Sequence, residues 1–233
     1  MSVLDSETLS AALRYASAGV AVLPTHWPTA AGCCSCGCHH PQCWERAKHP
    51  LVPRSASTTD PAQIRRWWEQ WPDANVGIAA LSAIIIDLDP APGAPDPLPA
   101  FAERWGVSLD DTVICRTGSG GWHLYFLPAP GRRAVWTGKD RLGGGCDVFT
   151  GAEAYVVAPP SIHHTLGRYA WLDGQAIDNL PMSPVPALIG QELARRLPLG
   201  WAVRVAPYWA VERLGLSVEA RQRLRRLLNA PRG

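Results

Sequence analysis

Apolar residues along the first half of the chain recur at two different periods, and the change of period marks out the elements. Leu9, Ala12, Leu13 and Ala16 share one face of a helix that Asp5 or Ser6 can cap and Gly19 can end. Residues 20–23 form a short apolar run that predicts a buried strand stopped by Pro24. Residues 25–59 show almost no periodicity, and so long a structureless stretch inside a domain is usually functional or held by a metal. A second helix starts at Asp60-Pro61-Ala62-Gln63, with Asp as cap and Pro at the first position. Ile64, Trp67, Trp68 and Trp71 then repeat at helical spacing, which predicts a stripe facing the core in preference to a surface for stacking bases.

Strand patterns follow. Residues 76–79 and 83–88 read as strands, the second a continuous apolar run of the kind buried on both faces. Residues 91–99 are rich in Pro and Ala and predict a loop, with a short helix over 98–105. Two strands, 112–117 and 124–127, flank the glycine turn Gly118-Ser119-Gly120-Gly121. A polar loop over 128–145 carries Arg132, Arg133, Lys139 and Arg141, which are candidates to grip a nucleic-acid backbone. Strands at 147–149 and 155–158 close at Pro159-Pro160. Helices are predicted at 186–197 and 218–228; the last carries Arg221, Arg223, Arg225 and Arg226 beside Leu224, Leu227 and Leu228, and either docks on the domain or binds DNA or a partner. The whole predicts an α/β (α+β) domain over 1–185 with a metal-binding loop, 33–50, inserted, and a helical extension over 186–233.

Composition narrows the class. With 47% hydrophobic and 18% charged residues the chain is globular, not disordered. A net charge of +2 means that any nucleic-acid surface must be a local patch. No apolar run is long enough to span a bilayer, and residues 1–16 carry Asp5 and Glu7 with no basic segment, so neither a membrane partner nor export is expected; the expected place is the cytoplasm.

Five of the seven cysteines lie between Cys33 and Cys43. In a chain without an export signal such a cluster reads as a metal site before a disulfide framework. Cys34, Cys36, Cys43 and His49 make a tetrahedral zinc set, structural because four protein ligands leave no open position. Cys33, Cys38, His39 and His40 compete as ligands, while Cys115 and Cys146 sit in strands and read as packing residues.

Asp87-Leu88-Asp89 ends an apolar strand, and alternation puts both carboxylates on one face. They repel each other unless a cation lies between them, and carboxylate oxygens suit Mg²⁺ or Mn²⁺. A third carboxylate from a neighbouring strand, with Asp147 the candidate, would complete a site for two metals that act on phosphoryl transfer. The glycine turn frees the backbone for close approach to a phosphate, with Gly120 and Gly121 as its centre, and His123 opens the next strand, where it can donate to a triphosphate.

Taken in order, four segments resemble the bacterial and phage primase-polymerase domain of the archaeo-eukaryotic primase superfamily. They are Cys34-Ser35-Cys36-Gly37 through Cys43 to Lys48-His49-Pro50; Asn75-Val76-Gly77-Ile78 leading to Asp87-Leu88-Asp89; Ser119 to Phe126; and Asp147 with Tyr155-Val156-Val157-Ala158-Pro159-Pro160-Ser161, His163, Tyr169 and Trp171. The resemblance covers roughly residues 8–175. It implies an α/β module whose catalytic half is an RNA-recognition-motif-like, mixed or antiparallel sheet flanked by helices. It implies that Asp87, Asp89 and Asp147 hold two catalytic Mg²⁺ or Mn²⁺ ions, that His123 contacts the triphosphate beside Ser119, and that Asn75, Lys48, Ser161 and His163 line the nucleotide pocket. It implies a DNA template and nucleoside triphosphates, ribo or deoxy, as substrates, with any unwinding left to a helicase or other replication partner. The family often has a basic residue two positions after the third acid and then Gly-Gly; here Phe149 and Gly151-Ala152-Glu153-Ala154 stand instead. Two rival readings use the same residues. One is a non-catalytic zinc-containing nucleic-acid-binding module. The other is a metal-dependent nuclease, which would not consume triphosphates.

Overall fold

Local capping decides where the helices begin. The Oγ of Ser6 accepts from the Leu9 amide at 3.2 Å and starts helix α1, Glu7–Ser17. Asp60 accepts from the Ala62 amide at 3.0 Å, with Pro61 at the first position of α2, Pro61–Gln70. Asp96 does the same for the Leu98 amide at the start of α3, Pro97–Trp105, which Gly106 ends at a φ of 65°. A fourth helix, α4, spans Ala187–Arg195. The strands are β1 Val22–Thr25, β2 Asn75–Ala79, β3 Ile84–Leu88, β4 Val113–Arg116, β5 Trp122–Leu127, β6 Cys146–Thr150, β7 Tyr155–Ala158, β8 Ala170–Trp171 and β9 Ser183–Pro184. The structure is a computed structural model, and it describes residues 6–29, 33–37, 43, 46–128 and 137–195. The candidate residues Cys38, His39, His40, Arg132 and Arg133, and the helix expected over 218–228, lie outside the described residues.

The strands form two sheets. The smaller is antiparallel in the order β1-β2-β7. The larger runs β6-β3-β5-β4-β8 with every neighbouring pair antiparallel, and β9 adds in parallel to the end of β5. The chain passes from one sheet to the other at a corner where the Ala80 and Gly151 backbones are bonded, Gly151 taking a φ of 89°. The sequence Gly151-Ala152-Glu153-Ala154 is thus the turn that carries the chain from β6 to β7.

Both faces of the large sheet are covered. Ile84, Ile86 and Leu88 point to a cluster with Leu98, Phe101 and Trp105 of α3 and Ile189 and Leu193 of α4. Ile85, Cys115 and Tyr125 point the other way, into a cluster with α1, α2 and the small sheet. This double burial explains the unbroken apolar run of β3, here in an antiparallel sheet. Ile64, Trp67 and Trp68 are buried as the helical stripe predicts, and each such side chain contributes roughly 2 kcal/mol by burial. Cys115 and Cys146 are buried as well.

The first strand and two short ones depart most from the sequence reading. β1 begins at Val22 and runs through Pro24 to Thr25 instead of stopping there. It is the edge of its sheet, so the missing proline N–H breaks no ladder bond. β8 and β9, two residues each, have no periodicity of their own and exist through their partners in the large sheet.

Candidate active site

Asp87 stands on β3 directly opposite Asp147 on β6 and His123 on β5, and His123 stands opposite Cys115 on β4. Strand register therefore sets these side chains in one row on the face that looks toward the small sheet. Asp89 lies just beyond the end of β3 and is exposed. Room for it comes from two glycines: a Cβ on Gly121 would stand 3.1 Å from its Oδ1, and one on Gly145 would stand 3.4 Å from its carbonyl.

The row is electrostatically crowded. Oδ1 of Asp87 is buried and accepts no hydrogen bond; it faces Nε2 of His123 at 3.5 Å. Burial, and then repulsion from Asp89 and Asp147, push the Asp87 carboxyl up to about 7, against the pull of the Lys48 ammonium. Burial first and Lys48 second push His123 down to about 3, so the imidazole is neutral and the contact with Asp87 is no ion pair. On its other side Nδ1 of His123 lies 3.5 Å from the Tyr125 hydroxyl. Asp147 accepts from the Asp140 amide at 2.8 Å through Oδ1.

The glycine turn is closed on itself. The Gly121 amide donates to Thr117 Oγ1 at 2.8 Å and the Gly120 amide to the Thr117 carbonyl at 3.0 Å, so these two N–H groups serve the turn. Ser119 is exposed, with its Oγ 3.0 Å from Thr117 Oγ1. A second hairpin, bridged at Ile162 and Arg168, presses on this turn. Gly118 and Gly167 meet backbone to backbone, and Thr165 Oγ1 donates to the Gly118 carbonyl at 3.2 Å.

The residues expected to line a nucleotide pocket divide into two groups. Asn75 and Ser161 are buried and their side chains are spent on backbone. Asn75 Nδ2 donates to the carbonyls of His26, Ala47 and Ile162, and its Oδ1 accepts from the Ile162 amide at 2.9 Å. Ser161 Oγ accepts from the Val76 amide at 2.9 Å. They position the loops around the site. The Lys48 ammonium instead acts through its charge, lowering Asp87, His123 and His163 alike. His163 is pushed down to about 4 by burial, then by Lys48 and His164, and its Nδ1 lies 2.9 Å from Thr165 Oγ1.

Cys34, Cys36, Cys43 and His49 offer ligand atoms that all lie within 4.8 Å of one another, and among the described residues no other group of three or more His, Cys, Asp or Glu residues does so. Cys43 Sγ is 2.8 Å from His49 Nε2. This Cys3His cluster can bind a metal, and the donor set suits zinc. Cys33 is exposed and outside the set. The carboxylates of Asp87, Asp89 and Asp147 are spread more widely than that cluster.

The sequence reading carried Tyr125 and Tyr169 within its motifs without giving them a role, and it missed the clamp at Asp96. Trp122 Nε1 and Arg116 Nη1 both donate to the Asp96 carboxylate, at 2.7 and 3.0 Å, which ties the loop after Asp89 to the strands on either side of the glycine turn. Nothing local marks these residues; Asp96 reads only as a helix cap.

No helix among the described residues is long and apolar enough to cross a membrane. A search of curated proteins found no match. The model of one protein family, described as bifunctional DNA primase/polymerase, N-terminal, matches residues 12–187. With most of its length so matched, the chain belongs to the Prim-Pol family and is a primase/polymerase nucleotidyltransferase.

Proposed function

We propose that this protein joins nucleoside triphosphates on a DNA template at the row formed by Asp147, Asp87 and His123, with Asp89 at its edge. The observation that carries the reading is the buried, unbonded Oδ1 of Asp87 between two other acids and a neutral histidine. A carboxyl raised by crowding and burial fits a hard divalent cation, which would restore its charged form. Asp87, Asp89 and Asp147 would hold two Mg²⁺ or Mn²⁺ ions, which supply charge stabilisation for the attacking 3′-hydroxyl and the triphosphate.

The chain's own side chains do the rest. Neutral His123 carries one ring N–H, which would donate a hydrogen bond to a phosphate oxygen while keeping its proton. Lys48 would bring its positive charge to the triphosphate, with His163 beside it, and exposed Ser119 would offer its hydroxyl. Gly120 and Gly121 contribute shape, since a side chain at Gly121 would run into the Leu88 carbonyl and crowd Asp89. Lys139, exposed beside Asp140, and Arg141 stand next to the third acid, where a template or product backbone would be gripped. The strand order β6-β3-β5-β4, with α3 crossing from β3 to β4, supports an RNA-recognition-motif-like catalytic sheet. The Cys3His cluster is read as a structural zinc site in the inserted loop.

The test is strand synthesis by purified protein on primed and unprimed templates, with ribo- and deoxynucleoside triphosphates supplied separately. Metal-dependent synthesis that disappears in the Asp87→Ala/Asp89→Ala variant is expected. Equal background in wild type and variant removes the reading.

A further inference from the structure

Only two of the 22 basic residues, Lys48 and Lys139, are lysines; the remainder are arginines. One of the two, Lys48, acts by its charge on Asp87 and His123, and it sits directly before His49 in the loop whose Cys3His cluster can bind a metal.

The backbone around it is held at three successive carbonyls. Asn75 Nδ2 donates to Ala47 at 3.2 Å, the Tyr155 hydroxyl to Lys48 at 2.6 Å, and the His26 amide to His49 at 2.8 Å. On the other side the Ala47 amide donates to Sγ of Cys34, a member of the Cys3His set, at 3.2 Å. Ala47 is buried and takes a φ of 59°, a conformation that costs a non-glycine residue about 1 kcal/mol or more. Such a turn persists only where its surroundings over-determine it. Here the small sheet supplies the carbonyl anchors, and the metal-ligating residues supply the rest, from Cys34 before the turn and His49 after it. The Lys48 charge is felt by Asp87, His123, His163 and His164 together. An ammonium is a compact point charge, able to sit close to a phosphate where a guanidinium fork would need more room.

We propose that a metal held by Cys34, Cys36, Cys43 and His49 fixes Lys48 against the Asp87–His123 pocket, making the cysteine loop a working part of the triphosphate site. The proposal rests on the polymerase reading for the identity of the ligand, but not for the coupling between metal and lysine.

The full chain is compared as zinc-loaded protein, after removal of zinc by a chelator, and after zinc is restored. Two readouts need no catalysis: hydrogen exchange at the amides of residues 46–49, and acylation of the Lys48 amine by an amine-selective reagent, with Lys139 as internal reference. Zinc removal is expected to raise both by about tenfold, reversibly, with circular dichroism and exchange in β3, β5 and β6 unchanged. In the zinc-loaded form, ATP or dATP with Ca²⁺ is expected to protect Lys48 and not Lys139, and this protection is lost on chelation. Lys48→Met is expected to keep its zinc and its fold while losing triphosphate binding to the same extent as zinc-free protein. Equal exchange and acylation with and without zinc overturn the proposal. Exchange that rises through β3, β5 and β6 as well also overturns it, because the metal would then be holding the whole domain. Zinc-dependent behaviour at 46–49 with no triphosphate protection in the loaded form upholds the coupling and counts against the polymerase reading instead.

Discussion

Nε2 of His123 stands 3.5 Å from Oδ1 of Asp87, the histidine buried and the half-buried aspartate hiding that one oxygen, one a neutral base and the other a carboxyl that burial keeps protonated toward neutrality. Their pKa values are shifted toward each other's ordinary range by the same cause, loss of water. Neither charge is satisfied by the other, so the pair is arranged to meet charge from outside.

The pH dependence of stability follows from that pair, and its signs oppose. Asp87 holds its proton in the folded state up to about 7 but releases it near the ordinary carboxylate value when unfolded. The unfolded chain therefore binds fewer protons over this range, and the Asp87 contribution to stability is lost as pH rises from about 4 through 7. His123 behaves the opposite way, costing stability as pH falls from its ordinary value toward about 3. Metal-free Asp87→Asn protein is expected to gain in Tm over wild type increasingly from pH 5 to pH 8. Thermal unfolding of both proteins across that range checks it; a constant difference contradicts it.

Mg²⁺ or Mn²⁺ is expected to raise the Tm of wild type most at pH 7–8, where competition from protons for Asp87 is least. Asp87→Asn and Asp147→Asn should each abolish most of that shift and lower strand synthesis on the order of a thousandfold. Metal titrations followed by unfolding, beside primer extension, measure the two effects.

His123→Ala is expected to lower kcat/KM for the incoming triphosphate about a hundredfold, as the loss of one buried donor to a phosphate would. The thermal shift on metal addition should survive in this variant, because the acids remain. A variant that loses metal response and nucleotide use together would show that His123 acts on the metals.

Gly167→Ala would drive a Cβ into the Gly118 backbone. Backbone gives way less readily than a side chain, so a cost of about 1–3 kcal/mol and a displaced glycine turn are expected. Urea unfolding gives the first, and the KM for triphosphate the second, which should rise.

Asn75→Ala would leave the Ile162 amide and the Ala47 carbonyl without their partner. Destabilisation of about 2–3 kcal/mol is expected, with an unchanged m value. Denaturant titration decides it. A fully stable variant that loses only nucleotide affinity would return Asn75 to direct contact with the ligand.

Much of this protein is written locally. Asp60-Pro61 and the Ile64-Trp67-Trp68 stripe suffice to specify α2, because capping and amphipathic spacing are short-range. The apolar run of β3 announces double burial. The Cys34/Cys36/Cys43/His49 cluster was legible as a candidate set, and Asp87, Asp147 and His123 stood out as candidates, since chemistry-bearing residues in these patterns have few other uses. Tertiary structure alone decided what lies opposite what. The register that sets Asp87 between Asp147 and His123 joins strands tens of residues apart, and no local period encodes it. The roles of Asn75 and Ser161 as backbone anchors, the pinning of Lys48 by Tyr155, and the meeting of Gly118 with Gly167 were likewise settled only by packing. Each depends on a partner far along the chain, and the free energy that chooses that partner comes from burying the two clusters on either side of the large sheet.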